Sequence, residues 1–293
     1  MDEQTVQRFW QEHACGDAQV GGLHERFRDD YEEFFTGYDR FRYDNERHLP
    51  ACLEALDVAG KRVLEIGLGE GSDAERLIRQ GAAWSGVDLT AESIARVQAR
   101  LTLRKLAYDE LRQGSVLDLP FADDSFDMVF SHGVLHHVPD IKQAQSEIHR
   151  VLRPGGELVV MLYARWSLNY LVSIGVIRRA GLLAAYPLAK AGVGKAITSR
   201  GKLATHIGNA TEMGLLRYLR LDEFTHHNTD GPANPYALVY DRARVARDFP
   251  SFEIVRSYKR FMHAPPLPVH RLPGANIMGW HLWVHLRPRA GSA

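Results

Sequence analysis

The chain is poor in cysteine, with two in 293 residues, Cys15 and Cys52. Two thiols make neither a disulfide framework nor the Cys-rich cluster of a structural zinc site, and no metal site is read in the sequence. It carries no excess charge, with 36 basic residues against 36 acidic. That balance excludes a surface built for bulk nucleic-acid binding, so no nucleic-acid partner is expected. The opening MDEQTVQRFW lacks the basic stretch and apolar core of a secretory signal. Long apolar runs are missing too. The longest, SLNYLVSIGVI, is closed by Arg178 and Arg179 and is too short to cross a bilayer, so no membrane span is expected. Repeats and low-complexity segments are also missing. What remains reads as a soluble, cytoplasmic protein in a reducing setting. It is 45% hydrophobic and 25% charged, enough to bury a sizeable core.

Four stretches differ in character. Residues 1–50 are rich in aromatics and charge (FWQEHACG, YEEFFTGYDRFRYD) and predict an N-terminal helical cap. Residues 51–163 alternate between short apolar runs and helical spacing. RVLEIGL, WSGVDL, LRQGSV, FDMVFS and GELVVMLYA read as strands. SDAERLIRQG reads as a helix closed at Gly81. TAESIARVQARLTLRKL reads as a helix opened by Thr90, with Glu92 and Ser93 in its first turn. Such alternation predicts βαβ units and a parallel sheet with helices on both faces. Residues 164–240 break the rhythm and predict an inserted helical and loop cap over the substrate. Strand signal returns in 241–293, in FEIVRSYKRF and GWHLWVHLRP.

The stretch VLEIGLGEGSD carries Gly67, Gly69 and Gly71 on alternate positions, preceded by Glu65. The dinucleotide fingerprint wants a third glycine at position 72, which is Ser72, and no Lys-Ser/Thr pair follows as in a phosphate-binding loop. A glycine turn alone does not name its nucleotide. Asp88 ends the second strand, 21 residues after Gly67, where a carboxylate can accept both hydroxyls of a ribose. GSVLDLPFADDSFDMVF then sets Asp118 after the third strand, and VLRPGGELVV supplies a turn ahead of the fifth.

The run VLEIGLGEG, GVDLT, GSVLDLPFADDSFDMVFSHGVLHHVPD and EIHRVLRPGGELVVMLY resembles class I S-adenosylmethionine-dependent methyltransferases of the methyltransferase-11 type. The resemblance covers residues 62 to 163. It implies a Rossmann-like, seven-stranded, mostly parallel sheet with an antiparallel last strand. It implies S-adenosyl-L-methionine as cofactor. Glu65 and the Gly67–Gly71 turn would flank its methionine part, Asp88 with Leu89 its ribose, and Val116, Leu117 and Asp118 its adenine. Ser131 and His132 would line the methyl end, and Tyr38, Arg42 or Tyr43 from the N-terminal segment would meet the methionine carboxylate, with helix packing and surface charge as the alternative. The donor carries no phosphate, which suits a site with small residues and carboxylates but no phosphate-binding lysine.

Methyl transfer from a sulfonium is an in-line displacement that needs alignment, exclusion of water and, for many acceptors, removal of a proton. His132, His136 and His137 follow the fourth strand, beside the methyl group, and are candidate bases. A structural role for the LHH sequence stands beside that reading. The loop FTHHNTDGPANPYALVY adds His227 as a candidate base and Asn228, Asp230, Asn234 and Tyr240 as candidate substrate contacts, with Tyr38 from the N-terminal segment. Side chains that merely cap their own loop are the alternative. A second resemblance, to bacterial methyltransferases combining an FW segment, an NTDGP-x-NPY loop and a GWHLWV ending, brings no substrate with it. The leading expectation is transfer to a small-molecule acceptor, secondary-metabolite, sugar or lipid-like. Alternatives are a membrane-associated lipid or quinone methyltransferase, a nicotinamide oxidoreductase, and a non-catalytic nucleoside-binding protein. Oligomeric state is left open, with a homodimer as one option.

Overall fold

The computed structural model describes residues 1–13, 31–193 and 201–289. Its centre is a seven-stranded sheet: β1 (Arg62–Ile66), β2 (Ala83–Asp88), β3 (Glu110–Gln113), β4 (Phe126–His132), β5 (Leu152–Tyr163), β6 (Phe252–Arg260) and β7 (His281–Pro288). The order across the sheet is β3-β2-β1-β4-β5-β7-β6. Neighbours pair in parallel from β3 to β5, and β7 runs antiparallel to both β5 and β6. The order reverses at β1 and β4, which opens a crevice above their carboxyl ends.

The central strands bury apolar residues on both faces because both faces are covered. Successive residues alternate between two cores. Val63, Met128, Val159, Met161 and Trp283 belong to one, and Leu64, Val129, Val160, Leu162 and Val284 to the other. Trp84 and Trp283 are wholly buried, and burying side chains of this kind stabilises by about 1.5–3 kcal/mol each.

Local signals set the helices that frame the crevice. The helices are α1 (Glu3–Glu12), α2 (Tyr31–Asn45), α3 (Leu49–Glu54), α4 (Ser72–Arg79), α5 (Ala91–Leu103) and α6 (Ile141–Val151). Thr90 caps α5 by accepting from the Ser93 amide. At the end of α4, Gly81 takes φ +91°. The amide of Ala82 then reaches back to the Leu77 carbonyl at 3.2 Å and that of Gly81 to Ile78 at 2.9 Å, a closing turn that favours glycine. Arg100, buried in α5, ties these pieces together. It donates to Glu75 of α4 at 2.9 Å, to the Ser72 hydroxyl at 3.2 Å and to Asp39 of α2.

In residues 164–240 a π-helix (Asn169–Arg178) runs straight into α7 (Arg179–Lys190), followed by α8 (Gly201–Met213), α9 (Leu215–Tyr218) and α10 (Leu221–His226). This corrects one expectation. The apolar run does not end at Arg178 and Arg179. The continuous helix Asn169–Lys190 has 22 residues and a mean hydropathy of 1.4 over its most apolar window, so it is long and apolar enough to cross a membrane by length and composition. Arg178 fails to stop it because its guanidinium is spent inside the protein, donating to the carbonyls of Pro265 at 3.2 Å and Asn228 at 2.8 Å. Two short helices, α11 (Arg242–Asp248) and α12 (Ala275–Met278), flank β6. Cys52 is buried and free, and Cys15 lies outside the described residues.

Candidate active site

Above the carboxyl ends of β1, β2, β4 and β5 lies a cavity of about 270 Å³. Its floor is the glycine turn after β1. Gly67, Gly69 and Gly71 take φ of +77°, +51° and +75°, which other residues adopt only with strain. Gly67 also has no room for a side chain, since a Cβ there would sit 2.2 Å from a methyl of Val134. Gly67 and Gly69 line the cavity; Gly71 instead caps α4 behind it.

Asp88, at the end of β2, binds the two turns together. One carboxylate oxygen accepts from the Leu68 amide at 2.8 Å, and the other from the amide and hydroxyl of Thr90, both at 2.8 Å. Burial pushes its carboxyl up from the usual range, against these hydrogen bonds. The oxygen paired with Thr90 is filled by two bonds, and the one facing Leu68 keeps an acceptor site for a ligand hydroxyl. Glu65 is deeply buried, accepts from the Trp84 indole at 2.8 Å, and is pushed well above the carboxylate range by burial and then by Asp73.

On the neighbouring wall, Arg42 from α2 donates to Asp73 at 2.8 Å and reaches Nδ1 of His132 at 3.2 Å. A guanidinium has only donors, so Nδ1 of His132 accepts and the ring proton sits on Nε2. Burial pushes His132 down to about 3, against the nearby Asp73. Glu46, beside Arg42, is pushed up to about 7 by burial. Helix α1 lies over the opening. Gln7 donates to the Leu89 carbonyl at 2.9 Å, Glu3 accepts from Ser115, and Trp10 meets His137 edge-on at 5.0 Å between ring centres.

The far end of the cavity is built from distant segments. His137 comes from the short 3₁₀ turn Leu135–His137, Tyr163 from the end of β5, Asp230 from the loop after α10, and His281 from the start of β7. Tyr163 donates to Asp230 at 2.8 Å. Oδ2 of Asp230 lies 3.2 Å from Nε2 of His137. Against the opposing push of burial, His137 and Tyr163 hold the Asp230 carboxyl below its usual range. Burial holds His136 and His281 well below the usual imidazole range, so these rings are neutral near pH 7.

Of the residues singled out in the sequence, Glu65, Asp88, Leu89, Val116, His132 and His137 line this cavity, as do Tyr38, Arg42 and Asp230. Others stand apart. Leu117 and the exposed Asp118 are not on its wall, and Ser131 is buried behind it, donating to the Ile66 carbonyl at 3.1 Å. His136 is wholly buried just beneath. His227 lies beside Pro232 and Tyr218, away from the cavity. Asn228 donates to the Phe224 carbonyl at 2.8 Å, and Asn234 links Thr229 to the Tyr236 amide. Tyr240 is packed in the core with α11. Sequence reasoning missed Trp10, Glu46, Asp73, Tyr163 and His281. Asp73 had a signal, as an acidic residue in the first turn after the glycines. Tyr163 and His281 stand where strands enter or leave the sheet on the cavity side.

Residues 64–160 match the family described as "Methyltransferase domain". The fatty-acid O-methyltransferase of Mycolicibacterium smegmatis is 41% identical over 117 residues, 39% of this chain and 41% of the relative. A phthiotriol/phenolphthiotriol dimycocerosates methyltransferase of Mycobacterium ulcerans is 38% identical over 106 residues, 36% of this chain and 38% of the relative. The chain thus spans about two fifths of the length of the curated relatives it matches. In fold it is similar to an S-adenosylmethionine-dependent methyltransferase from Mesorhizobium loti, with TM-score 0.52 and 17% identity over 83% of this chain and 99% of the other. A second such structure, from Methanosarcina mazei, gives TM-score 0.51 and 15% identity over 82% and 97%. Residues 64–160 are thus similar to a methyltransferase domain, and the sheet that carries them has the Rossmann-like fold of the two solved structures. The cofactor that this domain implies is S-adenosyl-L-methionine.

Proposed function

We propose that the protein is an S-adenosylmethionine-dependent methyltransferase whose acceptor is a small, lipid-like molecule. The observation that carries the reading is the cavity itself: a glycine turn, Asp88, and the Arg42–Asp73 pair at one end, and His137, His281, Tyr163 and Asp230 at the other. The residues fit the cofactor. Gly67 lets the chain pass where any side chain would strike Val134. The Asp88 oxygen facing Leu68 offers an acceptor site to a ribose hydroxyl, and Arg42 with Asp73 matches the carboxylate and ammonium of a zwitterion. The cofactor supplies an electrophilic methyl group. The protein's part is to exclude water under α1, to align the acceptor, and to take up its proton on a histidine ring.

Two observations support a lipid-like acceptor: the substrates in the names of the relatives above, and the apolar helix Asn169–Lys190, only 17% of whose most apolar window is buried. The same helix favours a second reading, in which the enzyme works on a membrane surface. A cytoplasmic setting belongs to the proposal and is supported by the buried free thiol of Cys52.

The test is incubation of the full chain with methyl-labelled cofactor and either fatty acids and lipid extract or a polar metabolite pool. Label is expected in the lipid fraction. Label confined to polar products sinks the lipid reading. Thermal stabilisation by NAD and not by S-adenosylmethionine sinks the methyltransferase reading. Co-sedimentation with liposomes decides the membrane reading.

A further inference from the structure

His136 and His137, side by side after β4, meet Asp230 at the acceptor end of the cavity. Ligand atoms of the three residues lie within 4.8 Å of one another. Their hydrogen bonding does not close. Nδ1 of His137 is 2.7 Å from the Tyr236 carbonyl, which can only accept, so Nδ1 carries the ring proton. In the neutral ring, Nε2 then presents a bare lone pair. It faces a carboxylate oxygen of Asp230 at 3.2 Å, and neither atom has any partner besides the other. His136 is wholly buried with both ring nitrogens unpartnered. Buried polar atoms are partnered as a rule, and each exception asks what group belongs there. A second proton on His137 would satisfy one nitrogen and one oxygen and leave His136 as it is. A cation between the three would answer an atom of each.

We propose that His136, His137 and Asp230 hold a divalent transition-metal cation, of the zinc or ferrous kind. Two imidazoles and a carboxylate are a donor set such ions take while keeping positions open. Bonds of about 2.0–2.2 Å would draw the three atoms together through small side-chain rotations. The outer partners that orient metal ligands are already in place: the Tyr236 carbonyl on His137 and the Tyr163 hydroxyl on Asp230. The amide of Leu238 also donates to the His136 carbonyl at 2.9 Å, seating the Asp230 loop against the histidine pair. A second group, Glu46, His132 and His281, is equally close-set. There the permanent charge of Arg42 lies against His132 and repels a cation. The open positions of the proposed ion face the acceptor end, so its further ligand is an acceptor with an anionic oxygen, a carboxylate above all. That role rests on the methyltransferase reading; metal binding itself does not.

The test uses the full chain, stripped with a chelator and titrated with zinc or cobalt(II) alone, in the absence of S-adenosylmethionine. One equivalent is expected to bind, with cobalt gaining visible absorption bands. His136→Ala and Asp230→Asn should weaken binding by about 100-fold, and Tyr163→Phe, which keeps every ligand, by about 10-fold. Circular dichroism and cofactor affinity of the metal-free variants report the fold separately. A stripped protein that binds S-adenosylmethionine but no metal overturns the proposal, and so does unchanged metal affinity in Asp230→Asn and Tyr163→Phe. A protein that binds metal but no S-adenosylmethionine overturns the methyltransferase reading and leaves the metal site standing.

Discussion

The two ends of the cavity are built on different principles. The proposed cofactor end is centred on consecutive βα turns, with Gly67, Gly69, Asp88 and Leu89 within 23 positions, joined by Arg42 from α2. The acceptor end is made of side chains, from Trp10, His137, Tyr163, Asp230 and His281, which span nearly the whole chain. The first requires particular φ values and close approach. The second requires that α1, a strand end and a loop arrive at one place. On the proposed reading, local geometry sets where the cofactor sits, and long-range packing sets what it meets.

Variants can break this contrast or sharpen it. The largest effect is expected from Gly67→Ala, which puts a Cβ on Val134 at a positive φ and so disturbs both ends at once. Strain of about 1–3 kcal/mol plus the clash should lower cofactor affinity by about 100-fold or more, read by calorimetry. Asp88→Ala comes next and should touch the cofactor end alone. Losing hydrogen bonds to a charged group should cost about 1.5–3 kcal/mol of cofactor binding, far more than His136→Ala costs that same affinity. His137→Ala is the mirror image. Single-turnover transfer should fall by about 100-fold, as when an acceptor loses its alignment, while cofactor affinity stays within a few-fold. Equal losses of affinity in Asp88→Ala and His137→Ala would erase the distinction between the ends.

The smallest effect is expected from pH. Burial pushes His48, His206 and His263 down to about 4, below the value near 6.5 that they regain on unfolding. The unfolded chain then binds more protons between those limits, so their contribution to stability falls as pH drops below about 6.5. Asp88 and Glu65 at the cofactor end are shifted upward instead. Their sign is opposite, since protonation relieves a buried charge and acid costs nothing there. Hydrogen exchange at pH 5, corrected for intrinsic rates and compared with pH 7, should rise in residues 201–226 and not in β1 and β2. A uniform rise would remove the asymmetry.

The same contrast explains what could be read from the sequence. The strands, the glycine turn and Asp88 were legible because each depends on neighbours a few residues away. Thr90 and Gly81 announced the helix ends they form. The loop after α10 showed dense polarity, yet Asn228 and Asn234 spend theirs on their own backbone, and only Asp230 reaches the cavity. His136 and His137 form no ligand motif with anything nearby in sequence, because their partner lies more than ninety positions away. The length of the helix through Arg178 was hidden for a related reason. The carbonyls that absorb its charge belong to Asn228 and Pro265, which no local window contains.

The contact of Gly67 with Val134 also limits how such a protein can be given a new acceptor. Val134 stands between the cofactor turn and the histidine pair, and its methyl groups already fill the space a Cβ would need. A bulkier residue there would be felt first by the cofactor. New specificity must therefore be sought in segments that leave this contact alone: α1, the Asp230 loop and the start of β7.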